Sequence, residues 1–215
     1  MQLNILHNEF DILQKKYGDI NLDSIYGAGC IKNPDIMFIF MNPTGRNISS
    51  QKDWKGIKAP WLGTKQVWDM FNSLNYISDN TYLSIKNRKP NEWNIEFTHN
   101  LYTEIANNRI YLTNLAKCTQ IDARPLSNTV FKEYLELMYR EIDSICPKYI
   151  ISFGNQVSSI LLKKNISVSK YSIEEYEELK IDNRKYLVYP TYYPVGQGRR
   201  NMGKAIERIK LITTL

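Results

Sequence analysis

The sequence predicts an α/β protein of three layers, with helices covering both faces of a central four-stranded parallel sheet. Two observations predict it. Four near-continuous apolar runs, "DIMFIF", "RIYLTN", "KYIISFG" and "KYLVYP", read as strands buried on both faces. Between them lie segments whose apolar residues recur at helical spacing, and such alternation of strand and helix builds a covered parallel sheet.

The elements follow in order. Leu3, Leu6, Phe10, Leu13 and Tyr17 predict an opening amphipathic helix. "DIMFIF" is the first strand and runs into the turn-forming "MNPTGRN". Val67, Trp68, Phe71 and Leu74 predict a helix near 64–75, and the polar stretch 76–100 reads as an irregular insertion. "RIYLTN" (109–114) is the second strand. Phe131, Leu135, Met138, Ile142 and Ile145 form a helical stripe that Pro147 closes. "KYIISFG" is the third strand, and Val157, Ile160 and Leu161 begin a short helix. "KYLVYP" is the fourth strand, ending at Pro190, and Met202, Ala205, Ile206 and Ile209 mark a last helix.

With 215 residues, 43% of them hydrophobic, the chain can fill one substantial core, so residues 1–215 are expected to form a single domain. The net charge of +6 favours an anionic partner such as nucleic acid. Aromatic residues make up 12%, most of them tyrosine, and offer flat surfaces for packing or base stacking. Cys30, Cys118 and Cys146 are odd in number and form no CxxC pair; with only His7 and His99 beside them, neither a zinc site nor a disulfide framework is expected. The charged N-terminus lacks the apolar core of a signal peptide, and no apolar run approaches the roughly 20 residues of a membrane span. A cytoplasmic monomer is the expectation.

In parallel α/β folds, functional groups sit past the carboxyl ends of the strands. Those ends are Asn42, Asn114, Gly154 and the segment Thr191–Tyr193. Four blocks around them, "IMFIFMNPTGRN", "KAPWLGTKQVWDMF", "IYLTNLAKCTQIDARP" with "CPKYIISFG", and "VYPTYYPVGQGRRN", resemble the motifs of the uracil-DNA glycosylase superfamily in order and spacing across residues 26–212. The likeness is greatest to the family-four branch, which carries an iron–sulfur cluster. Only Cys118 stands at a matching cysteine position and the N-terminal pair is missing, so no cluster and no other cofactor is expected. Three further departures stand out. Tyr193 replaces the usual histidine, and Phe40 and Thr44 stand where glycines open and close the first motif. The asparagine of that motif is similar to the mismatch-specific branch.

The resemblance implies an enzyme that flips a nucleotide from DNA, single- or double-stranded, and cleaves its N-glycosidic bond. Asn42 would position the attacking water, since an amide is no general base near neutrality. Tyr193 would donate a hydrogen bond to the departing base. Met41, Pro43 and Thr44 would line the base, Trp61 would stack on it, and Asn114 would read its edge with one donor and one acceptor. Gly196, Gly198, Arg199 and Arg200 would form a loop entering the duplex, in a segment (194–210) carrying five cations against Glu207. Lys117 and Arg124 would add phosphate contacts, and Asp53 and Asp122 are reserve carboxylates for activating water. Uracil is the family's usual substrate; the departures open the alternative of a modified pyrimidine, such as glucosylated hydroxymethylcytosine of phage DNA, and a role in antiviral defence. A competing reading is a DNA-binding module that recognises a flipped or damaged base without cutting it. A nucleotide-binding α/β protein is disfavoured, because neither GK[ST] nor GxGxxG occurs.

Overall fold

A computed structural model describes residues 3–123 and 126–214. The four predicted strands are present as β2 (Ile36–Phe40), β3 (Ile110–Asn114), β4 (Tyr149–Phe153) and β6 (Arg184–Thr191), paired in parallel in the order β3-β2-β4-β6. Every residue of β2, β3 and β4 is buried, which is why these strands read as unbroken apolar runs. The sheet has six strands rather than four. The two-residue β1 (Ala28–Gly29) pairs antiparallel with β3, and β5 (Glu177–Ile181) pairs antiparallel with β6.

Alternation along β2 divides the core into two layers. Phe38 and Phe40 face α2 (Gln66–Ser73), α3 (Asp79–Asn87), α4 (Ile95–Asn107) and α8 (Met202–Ile212). Met37 and Ile39 face α1 (Leu3–Tyr17), α5 (Asn128–Glu133), α6 (Leu135–Ile145) and α7 (Gly154–Leu161). The stretch 76–100 is not an irregular insertion, as its polarity predicted. Ser78 caps α3 and Asn94 caps α4, each side-chain oxygen accepting from a backbone N–H of the first turn. These helices escape a reading by apolar periodicity because α3 buries only Ile85 and the apolar stripe of α4 (Leu101, Tyr102, Ile105) falls near its end. The helix before Pro147 behaves as expected: α6 stops at Cys146, whose φ of 54° turns the chain and whose N–H returns to Ile142.

The α1/α6 layer contains a buried ion pair. Lys117 is 0% exposed and Glu141 is 1% exposed, with Nζ 2.6 Å from Oε2. Oε1 accepts from the Tyr111 and Thr113 hydroxyls at 2.8 Å each, and Nζ donates to Thr113 Oγ1 and to the Asn114 carbonyl. Nζ also lies 4.9 Å from the centre of the Phe10 ring. Burial drives the Lys117 pKa down while Glu141 pulls it back up. Removing one ion leaves the other charged in a dry core. Glu141→Leu should therefore cost about 3–5 kcal/mol in urea unfolding. The double substitution Lys117→Met with Glu141→Leu should recover most of that loss, and a double variant no more stable than Glu141→Leu would show that the pair is not the cause.

Candidate active site

Strand order reverses between β2 and β4: the chain moves from β2 outward to β3, then crosses back to β4 on the other side. The crevice past the carboxyl ends of these two strands is the topological switch point, where open α/β sheets bind ligands. Phe40 and Asn114 stand side by side in register, and Phe153 pairs with Thr191. The pairing of β2 with β3 continues beyond both strands. Leu115 N donates to Phe40 O at 2.8 Å, Ala116 N to Met41 O at 3.0 Å, Gln120 N to Pro43 O at 3.1 Å and Gly45 N to Gln120 O at 2.8 Å. Thr44 forms a parallel bridge with Gln120. The turn 41–45 is thus clamped to the segment leaving β3.

Asn42 is half-buried at the tip of this turn. Its amide nitrogen donates to the Pro43 carbonyl at 3.1 Å, the local capping expected of an Asn-Pro turn, and its Oδ1 has no donor among the described residues. Asn114 is 3% exposed, yet its side-chain amide makes no hydrogen bond among the described residues. Its oxygen and nitrogen are not sealed from solvent, so a water or a ligand can reach them.

Four aromatic rings pack together beside these amides, Phe40 and Phe153 fully buried and Trp61 and Tyr193 partly exposed. Phe40 stacks on Phe153 with centroids 4.6 Å apart, meets Trp61 edge-on at 4.9 Å and meets Tyr193 edge-on at 6.3 Å. Phe153 meets Tyr193 at 6.5 Å. Trp61 is held at φ 67°, a left-handed conformation costly for a bulky residue, and its buried indole N–H has no partner among the described residues. Tyr193 turns back over the strand ends. Burial pushes its phenol pKa well above the usual range, and the Met41 backbone amide at its oxygen pulls the other way. Two glycines lie against it, Gly154 at ordinary contact distance and Gly198 packed on its backbone. Gly154 takes φ 85° where α7 starts beneath the Tyr193 side chain, and a Cβ on Gly198 would stand 2.1 Å from the Tyr193 carbonyl oxygen.

Met41, Asn42, Pro43, Thr44, Trp61, Asn114 and Tyr193 therefore gather around Phe40 past the carboxyl ends of the strands. Gly196, Gly198, Arg199 and Arg200 lie in the short helical turn 196–201 on its β6 side. That turn is docked on α2 by Gly196 N donating to Gln66 Oε1 at 3.2 Å and by Arg199 lying 3.5 Å from Asp69. Arg200 is exposed. Lys117 does not join the rim. The expected phosphate contact is corrected by its complete burial against Glu141, which leaves no surface for DNA. Arg124 lies outside the described residues. Asp53 and Asp122 are exposed on separate loops.

Sequence reasoning missed Asn47, which is 4% exposed. Its Nδ2 donates to the Ala59 carbonyl at 2.8 Å, and its Oδ1 accepts from Ser49 N at 3.0 Å and Ser49 Oγ at 2.8 Å. Tyr102 holds the next carbonyl, that of Pro60, at 2.5 Å. Together they fix the segment that carries Trp61. The run "NISS" was the available signal, since asparagine capping a turn two residues on is a recognisable local pattern.

Comparison with known proteins agrees with this geometry. The family model described as the uracil DNA glycosylase superfamily matches residues 26–212, nearly the whole chain and all the strand ends above. Among curated proteins, none matches the chain.

The raised Tyr193 pKa makes a spectroscopic prediction. Ultraviolet difference titration of the protein against Tyr193→Phe should show no phenolate from this residue at or below the ordinary midpoint of 10.0. An extra phenolate in the unsubstituted protein below that pH would mean the ring is solvated rather than packed against Phe40 and Phe153.

Proposed function

Because the chain belongs to the uracil DNA glycosylase superfamily, we propose that it is a monofunctional DNA glycosylase whose reaction is set up by Asn42, Trp61, Asn114 and Tyr193. The observation that carries this reading is the pair of amides with free hydrogen-bonding capacity, Asn42 and Asn114, on adjoining strand ends at the switch point. The target nucleotide leaves the stack, at about a few kcal/mol, and enters the crevice. Its base stacks against Trp61, with Met41, Pro43 and Thr44 along its border. Asn114 pairs with the base edge: donor and acceptor match the O4/N3–H edge of uracil, or, reversed, the N4/N3 edge of a cytosine.

Asn42 Oδ1 accepts a hydrogen bond from a water and aims its oxygen at the anomeric carbon. The glycosidic C–N bond breaks, its electron pair leaving with the base, and the water oxygen bonds to the oxocarbenium-like sugar while its proton passes to solvent. An electrophile of that kind needs a placed water more than a strong base, so positioning is the main contribution. Tyr193 donates its phenolic hydrogen bond to the negative charge developing on the base. Being neutral, it stabilises that charge less than an imidazolium would. The products are a free base and an abasic site.

The substrate is uracil or a modified pyrimidine. The second option, with hydroxymethylcytosine or its glucosylated form in phage DNA as the target and antiviral defence as the setting, draws on the departures at Phe40, Thr44 and Tyr193. A non-catalytic reader of flipped bases is the second reading. It is favoured by Tyr193 in the histidine position and by the bond from the Asn42 amide to its own turn.

One experiment separates the readings. Oligonucleotides carrying uracil, hypoxanthine, mismatched thymine, 5-hydroxymethylcytosine and its glucosylated forms are incubated single- and double-stranded, then treated with hot alkali to break abasic sites. Release of one base, reduced about 100-fold or more in Asn42→Ala with DNA binding retained, is the expected result. Trp61→Ala should weaken substrate binding by about 1–3 kcal/mol, seen in KM. Tight binding without release of any base would establish the reader instead.

A further inference from the structure

The first motif does not end at its turn. Residues 46–58 leave the crevice as a loop on the side opposite the 196–201 turn. They run beside 22–26, where Asp23 N donates to Ser50 O at 2.8 Å, Tyr26 N donates to Lys58 O at 3.1 Å, and Leu22 bridges to Gln51. Segment 22–26 leads to β1, which places this loop on the β3 edge of the crevice, whereas 196–201 follows β6.

The loop combines a rigid interior with a charged exterior. Asn47, Ser49 and Ser50 are buried and hydrogen-bonded to Ala59, to Asn47 itself and to one another. The Trp54 indole N–H donates to Ile57 O at 3.0 Å and closes the tip. Outside, Arg46, Lys52 and Lys55 are exposed, and none of the three pairs with a carboxylate among the described residues. Lys58 is different, since it pairs with Asp23. Asp53 is the only acid in the segment. A merely solvated loop has no need of three buried polar side chains to hold its shape. A backbone already held in place loses less freedom when the cations it carries meet an anion, so they bind it more tightly.

We propose that loop 46–58 is a second phosphate-binding arm, in which Arg46, Lys52 and Lys55 grip the DNA backbone on the opposite side of the flipped nucleotide from Arg199 and Arg200. This rests on the glycosylase reading above for the identity of the ligand. The spacing suits it. The strands β3 and β6 are three inter-strand steps apart, about 14 Å, which is about four base-pair rises of 3.4 Å. Arms that far apart straddle the flipped nucleotide and hold the backbone about two nucleotides to either side of it. The backbone contacts fix register on the DNA and carry no sequence information.

The test is the salt dependence of binding to undamaged fluorescent oligonucleotides, which needs neither the correct base nor catalysis. Each lost phosphate contact lowers the slope of log K against log salt by about 0.9 on duplex and about 0.7 on single strands. The triple variant Arg46→Gln, Lys52→Gln, Lys55→Gln should flatten the duplex slope by about 2–3. Lys52→Arg with Lys55→Arg should preserve it. A control, Lys32→Gln, Lys148→Gln and Lys180→Gln, removes three exposed cations on the side of the sheet where the parallel strands begin and should leave the slope unchanged. An unchanged slope in the loop variant, or an equal fall in the control, overturns the arm while leaving the glycosylase reading intact. Failure of the unsubstituted protein to bind DNA even at low salt overturns the reading itself.

Discussion

Lys117 and Glu141 meet where no water reaches either, and the arrangement around them fixes the carboxyl end of β3. A charge in a dry core is tolerable only with its counter-charge and a full set of hydrogen bonds. Here Tyr111, Thr113 and the Asn114 carbonyl, all on one strand, supply the hydrogen bonds, the carboxylate comes from α6, and its Oε2 meets only the Lys117 charge. The pair therefore sets where β3 ends relative to the helix layer. The close fit leaves no slack: a Cβ on Gly27 would stand 2.0 Å from the Tyr111 hydroxyl and 2.5 Å from Glu141 Oε1. Because the residues after β3 hydrogen-bond to 40–45, the same pair indirectly holds the turn that carries Asn42. A polar device in one layer of the fold thus positions a crevice whose aromatic wall belongs to the other.

That wall has its own support. Phe40 and Phe153 come from the two strands that flank the switch point, so their stacking follows from the sheet itself. Trp61 and Tyr193 come from loops, and loops must be held. Asn47 and Tyr102 hold the carbonyls just before Trp61. Gln66 and Asp69 hold the turn just after Tyr193. Both loops are anchored on the α2/α4 side, where the apolar core is continuous beneath them. Strain in the Trp61 backbone persists because its surroundings over-determine it.

How much of this was legible in the sequence depends on whether the local pattern carried the signal. The parallel strands were visible because burial on both faces leaves an unmixed apolar run. The edge strands were not: β1 is two residues long, and β5 is only half-buried, so "EELKI" looks like charged surface. The polar strand ends were readable because the fold class predicts where functional groups stand. Lys117 was misplaced for the opposite reason. A lysine beside a site looks like a phosphate ligand until its long-range partner is known. The one hint was Glu141 lying inside the apolar stripe of α6 next to Ile142, a charge on a face that has to be buried. Local hydrogen-bond networks such as that of Asn47 sit between these extremes, signalled by spacing but meaningful only once Ala59 is brought against them.

The departures from the family pattern are physically linked. By the motif resemblance a glycine would stand at Phe40, and Phe40 fills the space beside residue 193, against Phe153 and Trp61. An imidazolium in that setting would lose its hydration among aromatic rings. Its charged form, the one that best stabilises a departing base, would be the form the surroundings reject. A phenol has no such conflict, because the same desolvation that would discharge a histidine keeps tyrosine protonated and able to donate. Beside a ring as large as Phe40, a neutral hydrogen-bond donor at residue 193 is the group that suits these surroundings.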